Sequence, residues 1–212
     1  MSKTYIFDLD GTLLDSLKVW EHVGNRYLRS LGIQGSQDLD EIVADMTLSE
    51  ASLYMKEQYH LSQSVKEIID GIHKQIEKQY TYEIQMKQGV LEFLQKCHQE
   101  HIRMCIFTAS DLILVQKALL RLEIIYYFDK IYTCETLGYT KNQKESYLAI
   151  VKDLDCQKAE CIVVEDACYA IQTAKKAGFY VKAIYDSYNK DDWNTICSIA
   201  NQCYLSFEKM EV

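Results

Sequence analysis

Short apolar, β-prone runs alternate with stretches of helical spacing along this chain of 212 residues. The runs fall at residues 4–9, 103–107, 130–133, 160–164 and 180–184, with a weaker one at 202–205. Strand and helix alternating in this way predict a parallel sheet covered by helices, an α/β fold of Rossmann-like form with helices on both faces. Between the first and second runs the pattern breaks. Residues 16–86 offer no convincing strand, only helical periodicities.

Inside that stretch Leu17, Trp20, Tyr27, Leu28 and Leu31 recur near the helical period, and Gly32 follows as a stop signal. Further helices are expected over 48–59 and 64–80. Thr47 with Glu50, and Ser64 with Glu67, stand at capping-box spacing. The expected organisation is a core made of residues 1–15 and 87–212, with a helical domain of residues 16–86 inserted after the first strand. Open α/β sheets bind ligands beyond the carboxyl ends of their strands. An insert springing from the end of strand one would overhang such a site, so it reads as a cap.

Composition narrows the partners. The chain is 48% hydrophobic and 25% charged, ordinary for a soluble globular protein, and its net charge is −8. That balance disfavours nonspecific attraction to nucleic acid or anionic membranes, and an anionic substrate would need a local cation. No run approaches the ~18 apolar residues of a membrane span. The start leads into the first strand with no room for a signal peptide, so a cytoplasmic protein, monomeric by default, is expected. The 8 cysteines include no Cys-x-x-Cys, and several lie in apolar runs such as Cys161-Ile162-Val163-Val164. They read as free, buried thiols. Proline is absent, where average usage of ~5% would give roughly ten, so turns fall to Gly, Asn, Asp and Ser.

The first apolar run ends in Asp8-Leu9-Asp10-Gly11-Thr12. Alternate strand residues point the same way, so Asp8 and Asp10 can leave the strand toward one site. Two such carboxylates repel and are costly to desolvate without a cation or hydrogen bonds, although turn-forming acids are an ordinary alternative. The fourth run also ends in an acidic pair, Glu165-Asp166, before a helix whose Ala167, Ala170, Ala174 and Ala177 share one close-packing face. Acids favour a helix N-terminus in any case. Two strands delivering carboxylates to one sheet edge make a hard, oxygen-rich site that suits Mg²⁺. Between them, Ile106-Phe107 runs into Thr108-Ala109-Ser110-Asp111, where a hydroxyl and fresh helix N–H groups would hold a phosphate oxygen, or Ser110 or Asp111 would simply cap the helix. Lys141 and Lys144 are the candidate cations. Asn142 and Glu145 have capping-box spacing, which would put Lys141 just before the helix and Lys144 in its first turn.

These motifs resemble the haloacid dehalogenase-like hydrolases, in the branch with a small helical cap, near phosphoglycolate phosphatases and β-phosphoglucomutases. The likeness spans essentially the whole chain, through Asp8 to Ser16, Thr108, Lys141 and Glu165-Asp166 in the family's order. It implies Asp8 as nucleophile and Asp10 as general acid/base. It also implies a phosphate held by Asp8, Gly11, Thr108, Ala109 and Lys141. Mg²⁺ would be held at Asp8, Asp10 (through its backbone carbonyl) and Asp166, with Glu165 in support. The family's lysine stands six residues before an aromatic, as Lys141 does before Tyr147, which decides for Lys141 over Lys144. Two departures are turn residues: Asn142 and Gln88 stand where the family usually has Pro.

The resemblance implies a Mg²⁺-dependent phosphatase acting on a small-molecule phosphomonoester through an aspartyl phosphate. Dehalogenases lack an acid at Asp10, and the family's transport ATPases have Thr there. A β-phosphoglucomutase is the nearest alternative. Such mutases carry a His where Trp20 aligns and an Arg in the cap, yet the stretch 45–51 contains no Arg. A catalytically idle binding protein is the other alternative, and the intact Asp8, Asp10, Lys141 and Asp166 weigh against it. Trp20, Met46 and Thr47 are the residues suggested to reach the substrate.

Overall fold

The computed structural model describes residues 3–43 and 46–212. The chain divides into two compact units, Met1–Ser16 with Ile84–Val212, and Leu17–Glu83. The first unit holds a six-stranded sheet: β1 (Thr4–Phe7), β2 (Arg103–Thr108), β3 (Lys130–Thr133), β4 (Cys161–Glu165), β5 (Tyr180–Ile184) and β6 (Gln202–Tyr204). All pairings are parallel, in the order β3-β2-β1-β4-β5-β6. The α/β expectation therefore holds.

Every expected run contains a strand, with small shifts at the ends. β1 stops at Phe7, short of Leu9, because the Leu9 carbonyl turns away to accept the N–H groups of Leu13 and Leu14 at 2.9 and 2.8 Å. β1 and β4 are central, and β1 is buried throughout. The order reverses between these two strands, and a crevice opens at such a switch point beyond the strand ends.

In chain order the helices of the sheet unit lie at Val90–Gln99, Leu112–Arg121, Cys134–Leu137, Lys144–Asp153, Cys168–Lys176 and Trp193–Ile199; those of the other unit lie at Leu17–Trp20, Val23–Ser30, Leu39–Val43, Leu48–Gln58 and Val65–Tyr82. Numbered along the whole chain, the second set is α1–α5 and the first α6–α11. On one face of the sheet Ile6, Cys105, Phe107, Val163 and Val181 pack with Tyr147 and Ile150 of α9 and Ile171 and Ala174 of α10. Ala170 and Ala174 of α10 are fully buried. Tyr5 and Phe7 face the other way. Their rings meet that of Phe93 of α6 edge-on at centroid distances of 5.7 and 6.2 Å.

In the unit Leu17–Glu83, Tyr27, Leu28, Leu39, Met55, Leu61, Ile68 and Ile72 form a core. Both expected capping boxes are present, Thr47 with Glu50 at α4 and Ser64 with Glu67 at α5. The single helix expected through Leu31 is instead two, α1 and α2. His22, in the left-handed region at φ 53°, interrupts it. Part of the arginine-free stretch, Asp45, lies outside the described residues. Trp20 donates its indole N–H to the Tyr80 hydroxyl at 2.9 Å.

Residues 13–15 and 85–87 lie side by side. Leu14 bridges Met86 in antiparallel fashion, with Asp15 N to Gln85 O and Lys87 N to Leu13 O both at 2.9 Å. Among the described residues no helix is long and apolar enough to cross a membrane. All eight cysteines are free thiols; Cys97, Cys105 and Cys161 are buried and Cys197 is exposed.

Candidate active site

The register of the central strands gathers the chemistry. Phe7 lies opposite both Ile106 and Val164, so Asp8, the turn at Thr108 and the pair Glu165-Asp166 all leave the sheet at one edge. Asp8 still donates its N–H to Val164 O at 2.9 Å, which keeps it in the sheet for one further residue. The chain then folds on itself through Gly11, whose φ of 88° suits only a residue without Cβ. Gly11 N donates to Leu14 O at 2.9 Å and closes the turn.

Lys141 reaches the same place from the loop before α9. Its ammonium donates to Asp8 Oδ1 and, at 2.8 Å, to Glu165 Oε2, and it is only 4% exposed. The Phe107 ring lies 5.5 Å from its nitrogen, and Tyr147 meets Phe107 edge-on at 5.2 Å. Burial works against the Lys141 charge, but Asp8 and Glu165 outweigh it and hold its pKa well above the ordinary lysine value.

Glu165, Asp166 and Asp8 form a buried triad with one ligand oxygen each, all within 4.8 Å of one another. Burial, then the neighbouring Asp8, pushes the Glu165 carboxyl up, against the pull of Lys141. Burial followed by Glu165 and Asp8 pushes Asp166 up further, against a hydrogen bond from Thr12. One ammonium among three buried carboxylates leaves negative charge uncompensated. Oxygen-only donors at this spacing fit a small hard divalent cation such as Mg²⁺.

Asp166 is oriented at both oxygens. Thr12 Oγ1 donates to Oδ1 at 2.8 Å and Asn189 Nδ2 to Oδ2 at 2.6 Å. The Asp10 carboxylate lies outside the triad; it accepts from Ser16 Oγ and Ser110 Oγ, each at 2.6 Å. Thr108 is buried and its hydroxyl oxygen accepts from Ser110 N at 3.0 Å, while Ala109 beside it is exposed. Asp111 caps α7, accepting from Ile113 N and Leu114 N.

The expectation that Asn142 caps the next helix fails. α9 begins at Lys144 behind Gln143, which makes no side-chain cap. Gln143 instead folds back to accept from Thr140 N at 2.9 Å, and this tight loop sets Lys141 inward while Lys144 stays exposed. Asn189, Ser16 and Ser110 act on site carboxylates but carried no such role in the sequence. Ser110 lies in the run Thr108–Asp111, where capping is its ready explanation, and Asn189 reaches Asp166 from 23 residues away with no local signal.

Residues 5–184 match the family described as haloacid dehalogenase-like hydrolase. A phosphorylated carbohydrates phosphatase of Thermotoga maritima is 23% identical over 180 residues, covering 85% of this chain and 82% of the relative. Hexitol phosphatase B of Escherichia coli K12 is 24% identical over 174 residues, covering 81% and 78%. The crystal structure of CbbY from Rhodobacter sphaeroides in complex with phosphate superposes with a TM-score of 0.83 at 17% identity, covering 99% of this chain and 96% of that one. At that identity the likeness speaks for the fold.

Proposed function

The chain belongs to the haloacid dehalogenase-like hydrolases, and from that premise we propose that it is a Mg²⁺-dependent phosphatase of a small phosphorylated carbohydrate. The observation that carries this reading is the buried Lys141 ammonium bridging Asp8 and Glu165, with Asp166 completing the triad. The relatives from Thermotoga maritima and Escherichia coli K12 are named phosphorylated carbohydrates phosphatase and hexitol phosphatase B.

In this proposal Asp8 attacks phosphorus through its second carboxylate oxygen, in line with the leaving alkoxide, and forms an aspartyl phosphate. Lys141 steadies the nucleophile in the resting site and the phosphoryl oxygens during transfer. Thr108 and the backbone N–H groups of Gly11 and Ala109 are assigned to the remaining oxygens. Asp10 protonates the leaving oxygen and then takes a proton from the water that cleaves the intermediate. Asp8, Asp166, Glu165 and the Asp10 carbonyl would hold Mg²⁺, which supplies charge compensation for the transferring group. The unit Leu17–Glu83 serves as a cap that selects the substrate.

The test is hydrolysis of p-nitrophenyl phosphate and a panel of hexose and hexitol phosphates with and without Mg²⁺. Turnover should require the metal and vanish in Asp8→Asn. Full activity in Asp8→Asn, or in excess chelator, would refute the mechanism. Conversion of β-glucose 1-phosphate to glucose 6-phosphate in place of phosphate release would return the mutase alternative.

A further inference from the structure

Lys87 belongs to none of the sequence motifs of the site, yet all its donors are engaged beside them. Its ammonium donates to Gly11 O at 2.5 Å, Tyr185 O at 2.7 Å and Asp186 Oδ2 at 2.7 Å. An ammonium has three N–H groups, and these are three acceptors. The pair is largely enclosed, with Lys87 16% and Asp186 4% exposed.

Asp186 passes the constraint on. Its Oδ1 accepts from Tyr188 N at 2.9 Å and its carbonyl accepts from Asn189 N at 3.1 Å, which closes the turn Ser187–Asn189. That turn aims the Asn189 amide at Asp166 Oδ2. On the other side Gly11, held by Lys87, precedes Thr12, whose hydroxyl takes Asp166 Oδ1. Both donors on the Asp166 carboxylate thus hang from one ammonium, through two separate stretches of chain.

We propose that Lys87, Asp186 and Asn189 form a positioning relay that fixes the Asp166 carboxylate and the Asp10–Gly11–Thr12 turn for metal binding and phosphoryl transfer. The inference rests on the phosphatase reading above. A buried ion pair returns little net stability, because desolvation cancels most of its attraction. Groups that orient metal ligands, by contrast, typically change metal affinity by about 10–100-fold when removed. Lys87 is therefore a positioning residue, and its value lies in the geometry it imposes.

The experiment uses the full chain and two substitutions. Lys87→Met keeps the aliphatic stem and removes all three donors; Asn189→Leu removes only the amide on Asp166, at a partly exposed turn. Mn²⁺ affinity is measured calorimetrically without substrate, together with kcat, KM and the thermal midpoint. Each variant should bind Mn²⁺ about tenfold more weakly and lose kcat with little change in KM. The double variant should be no worse than the worse single one, since both act along one relay. Wild-type Mn²⁺ affinity and kcat in Asn189→Leu overturn the relay even if Lys87→Met is unstable, and the phosphatase reading survives that result. A wild-type protein that neither binds Mn²⁺ nor hydrolyses phosphomonoesters overturns the phosphatase reading, and the relay with it.

Discussion

Two single residues show how far local sequence can mislead or inform. Gly89 follows Gln88, one of the two positions where the family resemblance leads one to expect proline, and the glycine itself is required twice over. Its φ is +82°, and a Cβ there would lie 2.5 Å from the backbone nitrogen of Glu208. Left-handed strain and overpacking together should make Gly89→Ala cost roughly 2–4 kcal/mol, read as a lowered denaturant midpoint. Lys182 is the opposite case, a charge buried inside β5. It donates to Tyr5 Oη at 3.0 Å and to the Glu211 carbonyl, and no carboxylate is among its hydrogen-bond acceptors. Burial, with help from Lys3, lowers its pKa. The folded state therefore releases this proton first, and stability from Lys182 is least below the lowered pKa and rises as pH climbs from there toward the ordinary lysine value. Lys182→Met should equal or exceed the wild type in thermal midpoint at neutral pH, and the wild type should gain on it as pH rises toward the ordinary lysine value of about 10.4. A difference that stays flat across that range would refute the assignment. At this scale the sequence was readable where a short local run marks the residue, as the acids and glycine closing the first strand mark Asp8 and Gly11. Lys87, Asn189 and Lys182 act through contacts 20 or more residues away, and no local pattern marks them.

Among the elements, the strands were legible because apolar β-prone runs bounded by turn residues have few other uses. The caps at Thr47 and Ser64 were equally plain, since each needs only a hydroxyl and a glutamate three residues on. Ser64→Ala should remove about 1 kcal/mol from α5 and lower the thermal midpoint, whereas a like change at Asn142, which caps nothing, should leave the midpoint unmoved. The α1–α2 break was not legible. Apolar periodicity continues past His22 as though the helix did, and the interruption is a backbone choice made by one non-glycine residue in the left-handed region that glycine usually occupies. Spacing alone also suggested the Asn142 cap, which gave way to a tighter turn closed by Gln143.

On the scale of the molecule, the candidate site draws on residues 8–12, 108–110, 141, 165–166 and 189, so no short contiguous fragment of the chain contains it. Parallel strands make this possible, because every β-to-α turn arrives at the same edge of the sheet. The sheet unit is interrupted only once, between Ser16 and Ile84, where its two broken ends run antiparallel and hydrogen-bonded. Joining those ends with Asn-Gly would make an ordinary two-residue hairpin. A chain so shortened should still fold cooperatively and bind Mn²⁺, but should lose discrimination among phosphorylated substrates; loss of its circular-dichroism signal or of Mn²⁺ binding would contradict this. On the proposed function the paired ends would act as a socket: a helical unit of different shape could be joined there without shifting the register of the strands, so one reaction could be handed from substrate to substrate over evolutionary time without the chemistry being rebuilt.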